Sequence, residues 1–439
     1  MWSTLLTSLA FYPLLSTFTT AAALPSQDPW YNQPSNISKY AAGELIRSRV
    51  VNPELEAFSS LPVNVSVKAV FQYLYRTTNS VGDAAASVVT LIEPHNSDPT
   101  KLLGYQTYYD SANVDSSPSY TLQAADEETL AAIEADVLLI GAALNLGWWV
   151  YTTDYEGLQA EYTAGLQSGH AVLDSTRVVL SAGPAVGLSC DPQYALWGYS
   201  GGSLASMWAA ELQPSYAPEL NFSGVAVGGT VPNVASVIKS INNGSSAGLA
   251  FSAVYGQAKA FPNMTEWLDG SLIKSKSDKF YAIANGTYPQ AAAAGKDQDI
   301  YSYFKGGEAA FNDEVPQSVL KWSGQLGLHG TPNTPLFLYK GVEDETSPVT
   351  DTDDIIAGYC AGGARIEYHR DLIGTHASEG VSGSANALLW LSDRLDGKDV
   401  SSSGCSTEVV ALLSVNVEAL PLLGGELFGI LESALAGLL

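Results

Sequence analysis

The stretch 194–210 limits what this chain can fold into more than any other. Tyr194, Ala195, Leu196 and Trp197 form an apolar run that ends in Gly198-Tyr199-Ser200-Gly201-Gly202, and small residues with helical spacing follow. Apolar run, tight turn and helix in that order describe a serine on a sharp bend between a buried strand and a helix. Gly198 and Gly201 have no Cβ, so neighbouring chain can pass close to the bend. The Ser200 hydroxyl is then lifted above the end of a sheet, at a helix N-terminus that favours developing negative charge. The pattern G-x-S-x-G alone is weak, because Gly244-Ser245-Ser246-Ala247-Gly248 also satisfies it. Lys239, Ser240, Asn242 and Asn243 precede Ser246 instead of an apolar strand, so Ser246 reads as a loop serine.

A serine hydroxyl is a poor nucleophile near neutral pH. It needs a histidine to take its proton and a carboxylate to orient that histidine. In the α/β-hydrolase arrangement the three follow in the chain order nucleophile, acid, histidine. The chain has five histidines, and His95 and His170 precede Ser200. His329 precedes the best acidic loop, and His369 sits inside an expected strand that would hold it against the sheet. His376, in the loop Ile373-Gly374-Thr375-His376, is free to reach the serine and is the expected base. The acid should lie in a loop directly after a strand. Residues 336–339 are that strand and residues 341–348 that loop, with Asp344 the central choice and Glu343 and Glu345 the local alternatives. Asp351, Asp353 and Asp354 read as a solvated helix start.

Alternation along the rest of the chain predicts strands at 64–75, 86–92, 102–109, 148–152, 222–227, 336–339 and 365–370. Helices are expected at 127–139, with Ala131, Ala132, Val137 and Leu138 as its buried stripe, at 158–180 and at 247–260. Residues 28–49 read as an extended lead-in. Strands alternating with helices indicate a mainly parallel sheet flanked by helices on both faces. The fold class expected is therefore α/β, an α/β-hydrolase fold with an inserted helical cap. The expected division is a signal peptide at 1–23, the first part of the core at 24–229, the cap at 230–316, the second part of the core at 317–408, with a soft boundary at Ser401 to Ser403, and an apolar tail at 409–439. Glu418, Pro421, Glu426 and Glu432 interrupt the tail, which argues against a stable membrane span and against a lipid-anchor signal. It should pack on the body as an amphipathic segment or act as a flap near the site mouth.

Apolar residues make up 46% of the 439 and charged ones only 15%, as in a globular protein. The net charge of −25 argues against nucleic acid or an anionic membrane as a lasting partner. Residues 1–23 are largely apolar and end in Ala21-Ala22-Ala23, a small-residue cleavage site. Asn36, Asn64, Asn221, Asn243, Asn263 and Asn285 each head an N-x-Ser/Thr sequon. Leader and sequons together predict a secreted, glycosylated protein. In an oxidising compartment three cysteines imply one pair and one free thiol. Cys360 and Cys405 flank an expected strand and helix and are the expected pair, which leaves Cys190 as a small buried hydrophobe.

At these residues the chain resembles the fungal secretory lipase family. The resemblance rests on Trp197-Gly198-Tyr199-Ser200-Gly201-Gly202, Asp154-Tyr155-Glu156-Gly157, the 341–348 loop and Gly374-Thr375-His376. It extends to the segment Tyr105 to Ser111 and to the opening Asp28-Pro29-Trp30-Tyr31 through Ile46-Arg47-Ser48-Arg49. The resemblance implies Ser200, Asp344 and His376 as the triad, with the backbone N–H groups of Asp110 and Gly201 as the oxyanion hole. It also implies a helical cap over an acyl-binding tunnel, with no metal and no organic cofactor. Cys190 has no place in that pattern.

Hydrolysis of acyl esters, triacylglycerol-like lipids among them, through an acyl-enzyme on Ser200 is the leading expectation, with a lipid–water interface as a transient partner. A deacetylase or acyltransferase acting on a secreted small-molecule ester is the alternative. An inactive binding protein on the same scaffold is disfavoured, because all three residue types occur in the required order.

Overall fold

The computed structural model describes residues 22–59, 61, 64–123, 127–400, 404–411 and 414–438, with the side chains of 127–134 excepted. Most of the expected leader, the boundary at Ser401 to Ser403 and the expected burial of Ala131 and Ala132 lie outside the described residues.

Ten strands form one sheet: β1 (Leu45–Val51), β2 (Ala69–Thr78), β3 (Ala84–Glu93), β4 (Asp98–Gln106), β5 (Trp148–Thr153), β6 (Gln193–Tyr199), β7 (Gly224–Gly228), β8 (Leu336–Gly341), β9 (Ile366–Asp371) and β10 (Cys405–Val410). Their order is β1-β2-β3-β5-β4-β6-β7-β8-β9-β10. The pairs from β5 through β10 are parallel, and those linking β1, β2, β3 and β5 are antiparallel. The central strands are buried on both faces. In β6, Leu196 joins the cluster containing Val172 and Trp208, while Ala195 and Trp197 join the cluster containing Val137 and Leu388. Helices Gly165–Ala182 and Gly201–Tyr216 cover the first face, and helices Glu127–Asn145 and His376–Leu395 the second.

All seven expected strands occur, with displaced ends. β2 starts at Ala69 rather than 64, and β4 stops at Gln106 rather than 109. The expected 158–180 helix starts only at Gly165, because Ala160 and Thr163 have φ of 51° and 64° and break any earlier helical turn. Two strands escaped the sequence reading. β1 lies in the stretch read as a lead-in, and β10 crosses the 409 boundary set for the tail. Both are edge strands, and β10 is exposed along most of its length, so neither shows the apolar alternation that marks a half-buried strand. Cys190 is also corrected: it is exposed, in the bend just before β6.

Between β7 and β8 the chain forms helices Val234–Ile241, Ala247–Ala260, Pro262–Ser271, Ser277–Ala284, Tyr288–Gly295 and Glu314–Gly324. Phe251, Phe280, Tyr303 and Phe304 pack edge-to-face or tilted at their centre. The final helix, Leu420–Leu438, is kinked at Gly424 and buries Leu423, Leu427, Phe428, Leu431 and Leu435 against the second face. The segment Val417–Leu438 is long and apolar enough to cross a membrane, yet this stripe of side chains is turned into the protein.

Cys360, near the end of helix Val349–Ala361, is joined to Cys405, the first residue of β10, by a disulfide closing a 45-residue separation. The bond ties the exposed edge strand to the body. Replacing both cysteines with alanine is expected to lower unfolding stability by about 4 kcal/mol on the chain-entropy account. Urea unfolding of the double variant, read against the parent, checks this. Equal stabilities would show that β10 frays independently of the body.

Candidate active site

Ser200 follows β6 directly and has φ 51° and ψ −118°, a backbone conformation that a serine adopts only at a cost. Its N–H donates to the Gly228 carbonyl at 3.0 Å, and its own carbonyl accepts from Leu204 N–H at 3.0 Å. The bend requires its glycines for different reasons. A Cβ on Gly198 would lie 2.3 Å from the Gly202 carbonyl oxygen, and one on Gly201 would lie 2.0 Å from Oδ1 of Asp110. The first is the backbone approach expected from the sequence, whereas at Gly201 the neighbour is a carboxyl group.

His376 was expected in a loop and is instead the first residue of helix His376–Leu395. Thr375 caps that helix and its hydroxyl accepts from Ser378 N–H at 3.2 Å, so the loop ends one residue early. Asp371 Oδ1 accepts from the N–H groups of Ile373 and Gly374 and shapes the approach to the histidine. The Glu343 N–H donates to the Gly374 carbonyl at 3.1 Å, joining the acid loop to the histidine loop. Tyr199, the central residue of Gly198-Tyr199-Ser200, donates its hydroxyl to the His376 carbonyl at 2.5 Å.

These elements bring three of the expected residues into a hydrogen-bonded chain. His376 Nε2 lies 2.9 Å from Ser200 Oγ, and His376 Nδ1 lies 2.8 Å from Asp344 Oδ2. Oδ1 of Asp344 accepts from the N–H groups of Thr346 and Ser347 at 2.9 and 2.8 Å. Burial would raise the Asp344 carboxyl, but the positive charge and hydrogen bonds of His376 and Lys340 outweigh it and hold the group well below the usual carboxylate range. Glu343 and Glu345 are exposed, and Glu345 reaches only the backbone N–H of His376, at 3.1 Å. His170 is bound to the Thr78 carbonyl, His329 to the Trp322 carbonyl, and His369 packs edge-on to Phe337.

Asp110 has φ 40° and a buried carboxyl that burial pushes up to about 7, with His376 pulling the other way. The early end of β4 leaves residues 107–110 irregular and sets Asp110 beside Gly201. Asp136 supports this segment, accepting from the Tyr105 hydroxyl at 2.6 Å and from Tyr108 N–H at 2.9 Å. Burial raises Asp136 to about 8. Tyr199, Asp136 and Lys340 were not singled out in the sequence. The usable signal was a lone acid in the apolar run 135–140 and a lone lysine in the apolar run 336–341.

A cavity of about 360 Å³ opens over the serine, within the range of small-molecule sites. Ser200, Gly201, His376, Asp110 and Tyr108 line one part, and Val231, Val234, Val237, Ile238, Ile241 and Leu249 another. Leu438 of the last helix also lines it. So does Ser246, but it follows no strand and is no partner of a histidine; it begins helix Ala247–Ala260. Among the described residues, no three or more His, Cys, Asp or Glu side chains converge as metal ligands.

A largely parallel sheet with its serine on a strand–turn–helix bend, met by an acid from a later loop and a histidine at the start of a later helix, defines an α/β-hydrolase, here a carboxylic ester hydrolase of lipase or esterase function. Residues 122–403 match the family model described as secretory lipase. Lipase A of Arthroderma benhamiae is 37% identical over 402 residues, covering 90% of this chain and 85% of its own. The trichothecene C-3 esterase of Fusarium sporotrichioides is 35% identical over 384 residues, covering 84% and 83%. The crystal structure of Candida antarctica lipase A in its closed state superposes with a TM-score of 0.85 at 28% identity, over 94% of this chain and 96% of that one. The chain belongs to the secretory lipase family.

Proposed function

We propose that the protein is a secreted serine lipase or carboxylesterase that cleaves acyl esters through an acyl-enzyme on Ser200. The observation that carries this reading is the chain Ser200 Oγ–His376 Nε2, His376 Nδ1–Asp344 Oδ2 on the wall of a mostly aliphatic cavity. Ser200 Oγ attacks the ester carbonyl while His376 Nε2 takes its proton, and Asp344 holds the Nδ1–H and stabilises the imidazolium. The backbone N–H groups of Asp110 and Gly201 receive the oxyanion. His376 then protonates the leaving alcohol, and water releases the acyl group by the same steps in reverse order of roles. The helices of 230–316 act as the cap, and Val234, Ile238, Ile241 and Leu249 from them receive the acyl chain. Secretion is supported by the exposure of all six sequon asparagines, Asn36, Asn64, Asn221, Asn243, Asn263 and Asn285.

Action on a small-molecule ester is the second reading. It is favoured by the polar wall of Asp110, Asp136, Tyr162 and Tyr288 and by the similarity to a trichothecene C-3 esterase. Initial rates across a p-nitrophenyl ester series and on emulsified triacylglycerol separate the two. Medium and long acyl chains are expected to exceed acetate several-fold, with triacylglycerol hydrolysed. Turnover of acetate esters alone, with triacylglycerol untouched, would assign the second reading.

A further inference from the structure

We propose that Lys340 is a positioning residue that shares Oδ2 of Asp344 with His376 and thereby sets the acid limit of activity. This rests on the Ser200–His376–Asp344 assignment above. Lys340 is a cation in a strand of otherwise apolar residues, and its side chain is fully buried. A buried ammonium is costly unless it is paired and its protons are bonded. Here Nζ donates to Asp344 Oδ2 at 2.7 Å and to the Thr230 carbonyl at 3.1 Å. The same carbonyl accepts from the Ser347 hydroxyl at 2.7 Å, and Ser347 N–H holds the other oxygen of Asp344. Lys340 thus connects the end of β7 to the acid loop and takes up one side of the oxygen that His376 must use.

The consequence is electrostatic as well as geometric. Burial lowers the Lys340 ammonium while Asp344 beside it holds the charge, and when the imidazole accepts the serine proton two cations share one carboxylate oxygen. Their repulsion at so short a range weakens the stabilisation that Asp344 gives the imidazolium, and removing the lysine charge restores it. The other charged groups facing Lys340 are Glu345, Asp351 and Glu379, and those facing His376 are Asp110 and Glu345, with the Tyr199 ring packed beside it. All of these remain when Lys340 is replaced, so a change on its removal reports the lysine.

The test is the pH profile of kcat/KM for Lys340→Met, which keeps the length and removes the charge. Its acid limb is expected to move to higher pH by about one unit, with the plateau kcat reduced roughly tenfold as Asp344 loses its anchor. If Lys340→Met does not fold, Lys340→Gln keeps a donor without charge and gives the same reading. A variant with lower thermal stability or kcat but an unmoved acid limb would overturn the proposal, leaving Lys340 a purely structural ion pair. Organophosphate labelling of the parent, located by peptide mass spectrometry, separates the two levels. Absence of label on Ser200 removes the triad assignment and this inference with it, whereas label on Ser200 with an unmoved limb removes only the role of Lys340.

Discussion

Ser200→Ala is expected to lower kcat for ester hydrolysis on the order of 10⁶-fold, to the level left by binding and the oxyanion donors. The substitution removes one oxygen and keeps the Cβ, so the bend can persist. Its backbone supports do not involve the hydroxyl: Ser200 N–H to Gly228, and Leu204 N–H to Ser200, are main-chain bonds. The hydroxyl's recorded partner is His376 Nε2, and no other side chain offers a nucleophile in that geometry among the described residues. Circular dichroism and thermal melting should match the parent within error while turnover disappears. An organophosphate that labels a different serine, Ser246 in the cavity wall being the obvious rival, would sink the assignment.

Asp344→Asn is expected to cost two to four decades in kcat, roughly 3–5 kcal/mol of barrier. The carboxylate accepts four hydrogen bonds, from His376 and Lys340 on Oδ2 and from Thr346 and Ser347 N–H on Oδ1. With the carbonyl oxygen of asparagine kept by the two backbone donors, its NH₂ group faces two further donors. The imidazole then loses both the acceptor that fixes its tautomer and the charge that stabilises its protonated form. Lys340 is left buried without its counter-ion, so some loss of stability should accompany the loss of rate. Glu345→Gln is the control, since that side chain is exposed and reaches only a backbone N–H of His376. Its kcat should stay within about tenfold of the parent, because exposed charges contribute little. The reverse ranking, with Asp344→Asn near full turnover and Glu345→Gln inactive, would move the acid to the neighbouring residue.

The features legible in the sequence are those written in short-range pattern. The bend at Ser200 could be read because an apolar run, three glycines and a helical repeat lie within 17 consecutive positions, 194–210. His376 stood out by elimination among five histidines, and Asp344 was the central choice, beside Glu343 and Glu345, in the loop after the 336–339 strand; folding joins His376 to Asp344 by a hydrogen bond. The seven strands with continuous or alternating apolar residues were found because burial of a strand leaves its period in the chain. The helix expected from 158 was displaced to Gly165 because Ala160 and Thr163 take positive φ, which no hydrophobic period reports.

Tertiary structure alone decided what depends on contacts between distant segments. β10 exists because β9 offers it a parallel edge, and its own residues are mostly exposed and carry no strand period. Asp110 acquires its raised carboxyl only because folding buries it beside Gly201, and Lys340 becomes a partner of Asp344 only because β7 and the 341–348 loop close around it. The last helix reads in sequence as an apolar tail interrupted by acids. Folding turns Leu427, Leu431 and Leu435 inward and brings Leu438 to the cavity that holds Ser200. Local sequence specifies which backbone shapes and which faces are available. Which charges end up desolvated together, and at what distance, is set by packing between residues tens to hundreds of positions apart, and that is where the reactivity of the site is decided.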